Sequence, residues 1–197
     1  FPILKARVEK EMGKPLDEMF ASFDENPIGS ASIGVVHRAT LLSGEEVVVK
    51  VRRPNVARMM HEDLEIIKYV VSKADKYLEE QGMPNATDAV SAFESSMLKE
   101  LDYKNEGKNI ENFRNFYKGY KNFYVPKAYR KISTEKVLVI EYVSGCKITD
   151  IEQIKAWGLS PEKIAELGMD VYLMQIFEFG YFHSDPHPGN IMVTPEG

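Results

Sequence analysis

The segment His183-Ser184-Asp185-Pro186-His187-Pro188-Gly189-Asn190 gathers a carboxylate, a carboxamide and two imidazoles into one short stretch. It lies between a helical segment and the β-like run Ile191-Met192-Val193. Phosphoryl transfer needs a carboxylate that orients the attacking hydroxyl and an amide oxygen on a metal that neutralises phosphate oxygens. Asp185 and Asn190 have the spacing of the catalytic loop H-x-D-x-x-x-x-N, with His183 as a structural support of that loop. Two other chemistries fit the same residues. Asp, Asn, Pro and Gly also make ordinary polar turns. His183, Asp185 and His187 are also plausible zinc or iron ligands, although Pro186 and Pro188 forbid the helical histidine pair of H-E-x-x-H.

A second group lies upstream. In Val47-Val48-Val49-Lys50-Val51 a lysine stands in an apolar strand after a hairpin, as in the V-A-I-K pattern whose lysine reaches the α- and β-phosphates. An edge-strand lysine snorkelling to water is the alternative. A carboxylate on a following helix would pair with Lys50, and Glu100, Asp102 and Glu106 are the candidates. Asp102 and Glu106, four apart, share one helix face, and Glu100 lies on another. Acidic residues on a helix are otherwise a solvated face. Gly29, Ser30, Ala31 and Ser32 occupy the place of a phosphate-covering loop, where small residues let exposed N–H groups approach a polyphosphate. The stretch is not G-x-x-x-x-G-K-[ST] and lacks three glycines in G-x-G-x-x-G spacing.

These residues need elements to hold them. Val8 to Phe23 reads as helix and loop, broken by Asn26-Pro27-Ile28-Gly29. Ile33–Leu42 and Glu46–Arg52 flank Ser43-Gly44 as an antiparallel hairpin. Pro54 precedes a helix over roughly 55–80 with Leu64, Ile67, Val71 and Leu78 in its stripe, and Gly82-Met83-Pro84-Asn85 breaks it. One long helix is expected from about Asp88 to Phe116. Lys136 to Glu141 is a buried strand, Tyr142-Val143-Ser144-Gly145 a hinge, and Ser160-Pro161 the capped start of a helix ending near Gly180. The order of loop, strand lysine, helix carboxylates, apolar strand with hinge, and H-x-D-x-x-x-x-N is that of an α+β, protein-kinase-like fold. Residues 1–141 are then a lobe of mixed antiparallel sheet with inserted helices, 142–150 the hinge, and 151–197 the start of a helical lobe. Glu141 and Val143, at the hinge, join the nucleotide-contacting candidates.

Composition restricts the function classes. The chain has 197 residues, 44% hydrophobic and 28% charged, which is ordinary globular composition. Its 25 basic and 30 acidic residues leave a net charge of −5, which argues against a nucleic-acid partner. The single cysteine, Cys146, excludes an internal disulfide framework and a CxxC zinc site. No run approaches the length of a membrane span, and the start at Phe1 is too short for a signal peptide.

The stretches Ala31–Ala39, Lys99-Glu100-Leu101-Asp102-Tyr103 with Glu106 and Asn109, and Phe182–Asn190 resemble the UbiB family of atypical kinases over essentially the whole chain. The resemblance implies an alanine-rich nucleotide loop, an ExD motif at Glu100 and Asp102, and a role in biosynthesis of ubiquinone or another isoprenoid lipid. It implies Lys50 as the nucleotide-phosphate lysine paired with Glu106, Asp185 as the catalytic aspartate, and Asn190 as a metal ligand. ATP or ADP with Mg2+ is the implied cofactor set. The implied partners are quinone-pathway proteins, and the implied location is cytoplasmic, peripheral to or anchored in a membrane through other regions. Gly29 and Ser30 stand where the family shows alanines, and Val35 where glutamine is common. The family's KxGQ segment is not in this chain, and no DFG follows Asn190.

Phe1 and Gly197 therefore read as cuts through a longer protein, and a fragment without the second metal-binding aspartate is expected to turn over ATP poorly. Two other functions compete. One is a small-molecule phosphotransferase of the aminoglycoside or choline kinase type, against which the proline-rich loop and ExD stretch argue. The other is a pseudokinase scaffold that binds without turnover.

Overall fold

Alternating valines place one side of a strand in a core and leave the other side free for a different task. Strand β4 (Glu46–Arg52) does this: Val47, Val49 and Val51 are buried, while Val48, Lys50 and Arg52 point to the opposite face. The computed structural model describes residues 1–31, 33–80 and 86–197, without the side chains of Lys76, Leu78 and Glu79. The expected break at Gly82-Met83-Pro84-Asn85, the candidate Ser32 and the stripe position Leu78 thus fall outside it. The chain divides into two compact units, residues 1–111 with 127–141 and residues 112–126 with 142–197.

The first unit is built on an antiparallel sheet. β3 (Gly34–Leu41) pairs with β4 in the register Val36↔Lys50, and β4 pairs with β5 (Val137–Glu141) in the register Lys50↔Leu138. The β3–β4 turn uses Gly44 at φ 97°, where a glycine avoids the clash of a Cβ. β1 (Phe20–Phe23) and the short β2 (Gly29–Ser30) both pair with β3. β1 departs from the expected helix and loop. It is only four residues long, has a register irregularity between Phe20 and Ser22, and owes its extended form to pairing with β3 rather than to any period of its own.

Both faces of the sheet are covered. On one, Val47, Val49 and Val51 pack with Val8, Leu16, Phe20 and Leu41, beneath helix α1 (Pro2–Met12). Helix α1 ends because Gly13 takes φ 69° and its N–H returns to Glu9. On the other face, Leu138, Ile33, Leu101 and Tyr103 form a second core, with Val56, Met60, Leu98 and Ile110 against it. Leu138 and Val139 are both fully buried, as the apolar run of β5 requires between two covered faces.

Helix α2 (Val56–Glu80) lies where the apolar stripe places it. The expected single helix from Asp88 to Phe116 is instead two, α3 (Ala86–Glu100) and α4 (Tyr103–Phe116). The break has a local cause: the Asp102 carboxylate accepts the Lys104 N–H at 2.9 Å, and an aspartate that caps a new helix starts it afresh. Asp102 and Glu106 therefore do not share the face of one continuous helix, because Asp102 precedes the first turn of α4.

The second unit contains α5 (Ile151–Ala156), α6 (Pro161–Phe177) and a two-stranded ribbon of β6 (Cys146–Lys147) and β7 (Met192–Val193). Aromatic side chains fill it: Phe116 stacks on Phe179 at 5.0 Å and Tyr117 meets Phe123 at 4.3 Å. The Tyr117 hydroxyl donates to the Val171 carbonyl at 2.7 Å, a tie from residue 117 to α6. Among the described residues no helix is long and apolar enough to cross a membrane.

Candidate active site

Lys50 lies on the β4 face opposite the valine core, and α4 covers that face. Its ammonium donates to both carboxylate oxygens of Glu106, at 2.9 and 2.7 Å, and lies 4.9 Å from the centroid of the Tyr103 ring. The pair is neither buried nor free: the side chains are 20% and 36% exposed. A charge-assisted two-point bond is stronger there than in open water, and the cost of desolvation is smaller than in a dry core.

The start of α4 brings Glu106 to this place through four residues. Asp102 caps the helix. Tyr103, fully buried, wedges the first turn into the core of Ile33, Leu101 and Leu138. Glu106 follows in the first turn, and Gly107 lets the helix approach the sheet, since a Cβ there would come within 3.3 Å of Leu138 Cδ1. Leu138 is the register partner of Lys50, so the approach that Gly107 permits is also what brings Glu106 to the lysine.

The candidate loop has a defined base. Gly29 and Ser30 form β2, exposed, and Ala31 and Gly34 exchange backbone hydrogen bonds at 3.0 and 3.4 Å. Arg53 holds the loop twice: its backbone N–H donates to the Ile33 carbonyl at 2.9 Å and its guanidinium to the Ser30 hydroxyl at 2.6 Å. Gly34 is required by packing, because a Cβ would strike the Tyr103 hydroxyl and come within 2.7 Å of the Val51 carbonyl oxygen.

Glu100 ends α3 in an exposed position. Asp102 lines an open depression of about 440 Å3 with Glu94, Lys99 and Asn105. Glu141 ends β5, and its carboxylate accepts the Lys127 N–H at 2.9 Å. Val143 is half-buried outside any helix or strand.

In the second unit the H-x-D-x-x-x-x-N segment is held by its histidines and by α6. The buried Gln175 accepts the His183 N–H at 2.9 Å. His183 Nδ1 accepts the Asp185 N–H at 3.2 Å, and His187 Nδ1 accepts the Gly189 N–H at 3.0 Å. Asn190 Nδ2 donates to the backbone carbonyl and to Oδ2 of Asp185, both at 3.2 Å. Asp185 and Asn190 are thus adjacent, with Asp185 exposed. Both imidazoles act as structural acceptors, and among the described residues no group of three or more His, Cys, Asp or Glu is gathered as a metal site. A hard cation such as Mg2+ takes few protein oxygens and completes its shell with phosphate and water. Asn190 suits that demand: its amide nitrogen is turned to Asp185, and its amide oxygen remains as a ligand atom.

Tyr103, Gly107, Arg53 and Gln175 had no assigned role in the sequence reading. The one signal for Gln175 is a carboxamide between Met174 and Ile176 in an otherwise apolar stretch. Burial pushes the phenol of Tyr117 above its ordinary value, and a hydrogen bond with Gln175 opposes that shift.

Residues 3–197 match the model of the ABC1 atypical kinase-like domain. The chain is 38% identical over 190 residues to an uncharacterized protein of Synechocystis, covering 96% of this chain and 34% of that protein. It is also 38% identical over 192 residues to the chloroplastic Protein ACTIVITY OF BC1 COMPLEX KINASE 7 of Arabidopsis thaliana, covering 96% and 27%. With a Probable protein kinase UbiB of Aliivibrio fischeri it shares 34% identity over 195 residues, covering 98% and 36%. The chain thus spans about a third of the length of the curated relatives it matches. Among solved structures, Rv3197 of Mycobacterium tuberculosis in complex with erythromycin superposes with a TM-score of 0.79 at 29% identity, over 98% of this chain and 48% of that one. With a protein-kinase-like fold and a family match along nearly its whole length, the chain belongs to the ABC1 atypical kinase-like family.

Proposed function

We propose that this chain binds adenine nucleotide with Mg2+ and belongs to an ATP-dependent atypical kinase or ATPase that supports the biosynthesis of ubiquinone or another isoprenoid lipid. The observation that carries the reading is the two-point Lys50–Glu106 ion pair beside a small-residue loop. A lysine ammonium held at two points by a carboxylate is aimed in one direction, which suits it to the α- and β-phosphates of a nucleotide.

Each unit supplies a different share of the chemistry. In the first, Lys50 binds phosphate and Glu106 fixes its direction, while the small-residue loop that begins at Gly29 and Ser30 covers phosphate oxygens. Glu141 and Val143 contact the nucleotide through the backbone, and Glu100 and Asp102 complete the nucleotide-binding set. In the second, Asp185 orients the attacking oxygen and accepts its proton, and Asn190 would hold Mg2+ through its amide oxygen. The ion, when bound, neutralises charge on the phosphate oxygens. The partners in this reading are proteins of the quinone or isoprenoid-lipid pathway at a membrane.

Titration calorimetry of the intact protein tests it. Saturable binding of Mg-ATP or Mg-ADP, weakened at least about tenfold in Lys50→Ala, is the expected result, the loss of one charge-assisted phosphate contact being of that order. A wild-type protein that binds neither nucleotide would overturn it.

A further inference from the structure

Tyr103 connects two parts of the nucleotide-binding machinery. Its ring faces the Lys50 ammonium at 4.9 Å, and its hydroxyl lies against Gly34 at the base of the loop. The residue is fully buried, and among the described residues its hydroxyl oxygen has no hydrogen-bond partner. A buried hydroxyl without a partner is unfavourable, so phenylalanine would serve better if packing were the whole task. Burial, reinforced by the Glu106 carboxylate, pushes the phenol well above its ordinary value, so the group stays an O–H donor across the physiological range.

Several polar groups at the base of the loop are already paired with one another. The Ile33 carbonyl accepts from Arg53, Ala31 and Gly34 bond to each other, and Ser30 accepts from Arg53. The unused donor therefore lies beside Gly34, where the loop joins β3.

We propose that Tyr103 is a positioning residue that couples the loop to Lys50: its ring steadies the ammonium against Glu106, and its hydroxyl is a donor used only by the loop's nucleotide-bound form. This rests on the nucleotide-binding reading above. A hydrogen bond made only in the liganded state adds to ligand affinity and contributes nothing to the stability of the free protein.

The test is Tyr103→Phe in the intact protein, which keeps the ring and removes the donor. Three quantities are measured: thermal unfolding without ligand, affinity for Mg-ATP and Mg-ADP, and affinity for adenosine, which lacks the phosphates that the loop covers. The melting temperature is expected to be unchanged or higher. Mg-ATP and Mg-ADP are expected to bind about 3- to 10-fold more weakly, the range of one ordinary hydrogen bond, with adenosine unaffected. Wild-type affinity for Mg-ATP in the variant overturns the proposal. So does a lower melting temperature, which would mean the hydroxyl is already bonded, or an equal loss for adenosine. A wild-type protein that binds no nucleotide overturns the functional reading and this coupling together, whereas equal binding by wild type and variant overturns the coupling alone.

Discussion

Glu106 presents both of its carboxylate oxygens to the Lys50 ammonium, at 2.9 and 2.7 Å, from a helix whose approach to the sheet depends on the neighbouring Gly107. The contact joins residues 56 apart in sequence, and its geometry follows from backbone packing rather than from the two side chains alone. Glu106→Gln keeps one acceptor and removes the charge. Because both groups are partly exposed, the expected loss of stability is about 1–2 kcal/mol. Chemical denaturation with an unchanged slope checks it, and a variant as stable as wild type would show that the pair contributes no net energy.

Gly34 tolerates no side chain, for a reason in its own surroundings. Gly34→Ala forces a Cβ toward the Tyr103 hydroxyl and within 2.7 Å of the Val51 carbonyl. Overpacking of this kind costs about 1–3 kcal/mol. Removing the hydroxyl in Gly34→Ala/Tyr103→Phe should recover only part of that loss, because the Val51 contact stays; urea midpoints of the two variants measure the difference.

Gln175 holds the H-x-D-x-x-x-x-N segment through one bond to the His183 N–H. Gln175→Leu preserves volume in α6 but leaves that donor without its acceptor, at a cost of about 1–3 kcal/mol if water cannot replace it. Hydrogen exchange at the His183 amide is expected to accelerate, while amides in β3 and β4 keep wild-type protection.

Asp185→Asn retains the size of the side chain and an oxygen able to accept from Asn190. The melting temperature should therefore stay within a degree or two, about what a surface substitution changes. Turnover should fall by about 10²- to 10⁴-fold if Asp185 serves as the base. Undiminished complementation of a deletion strain by this variant would favour a binding scaffold over an enzyme.

Alkaline pH tests the burial of Tyr103. Its folded pKa is raised above the ordinary phenol value, first by desolvation and then by the charge of Glu106. A raised pKa means the folded state binds the proton more tightly, so the stabilisation is complete below the unfolded value and declines as pH rises past it. Denaturant midpoints of wild type should therefore fall above about pH 10, and fall less steeply in Tyr103→Phe.

Periodicity and spacing made much of this molecule legible. The Val47–Val51 alternation dictates that Lys50 faces away from the valine core, and the turn at Ser43-Gly44 dictates the hairpin, since both depend on local steric rules and a two-residue repeat. Asp185 and Asn190 are brought together by a short, proline-stiffened segment, so their proximity is also largely local. The identity of Glu106 as the Lys50 partner was open on spacing alone, because three carboxylates lay within reach.

The tertiary structure decided that choice. Asp102 is consumed as a helix cap, which ends α3 and redirects the chain, and Gly107 then lets α4 close on Leu138. The roles of Tyr103, Arg53 and Gln175 were likewise invisible, because each acts on atoms far away in sequence: the loop base, Ser30 and the His183 amide. Sequence determines which chemistry this chain carries, through residue type and short-range spacing. Which carboxylate meets which lysine, and what lies beneath the loop, depends on how closely a helix approaches a sheet, and that is set by long-range packing.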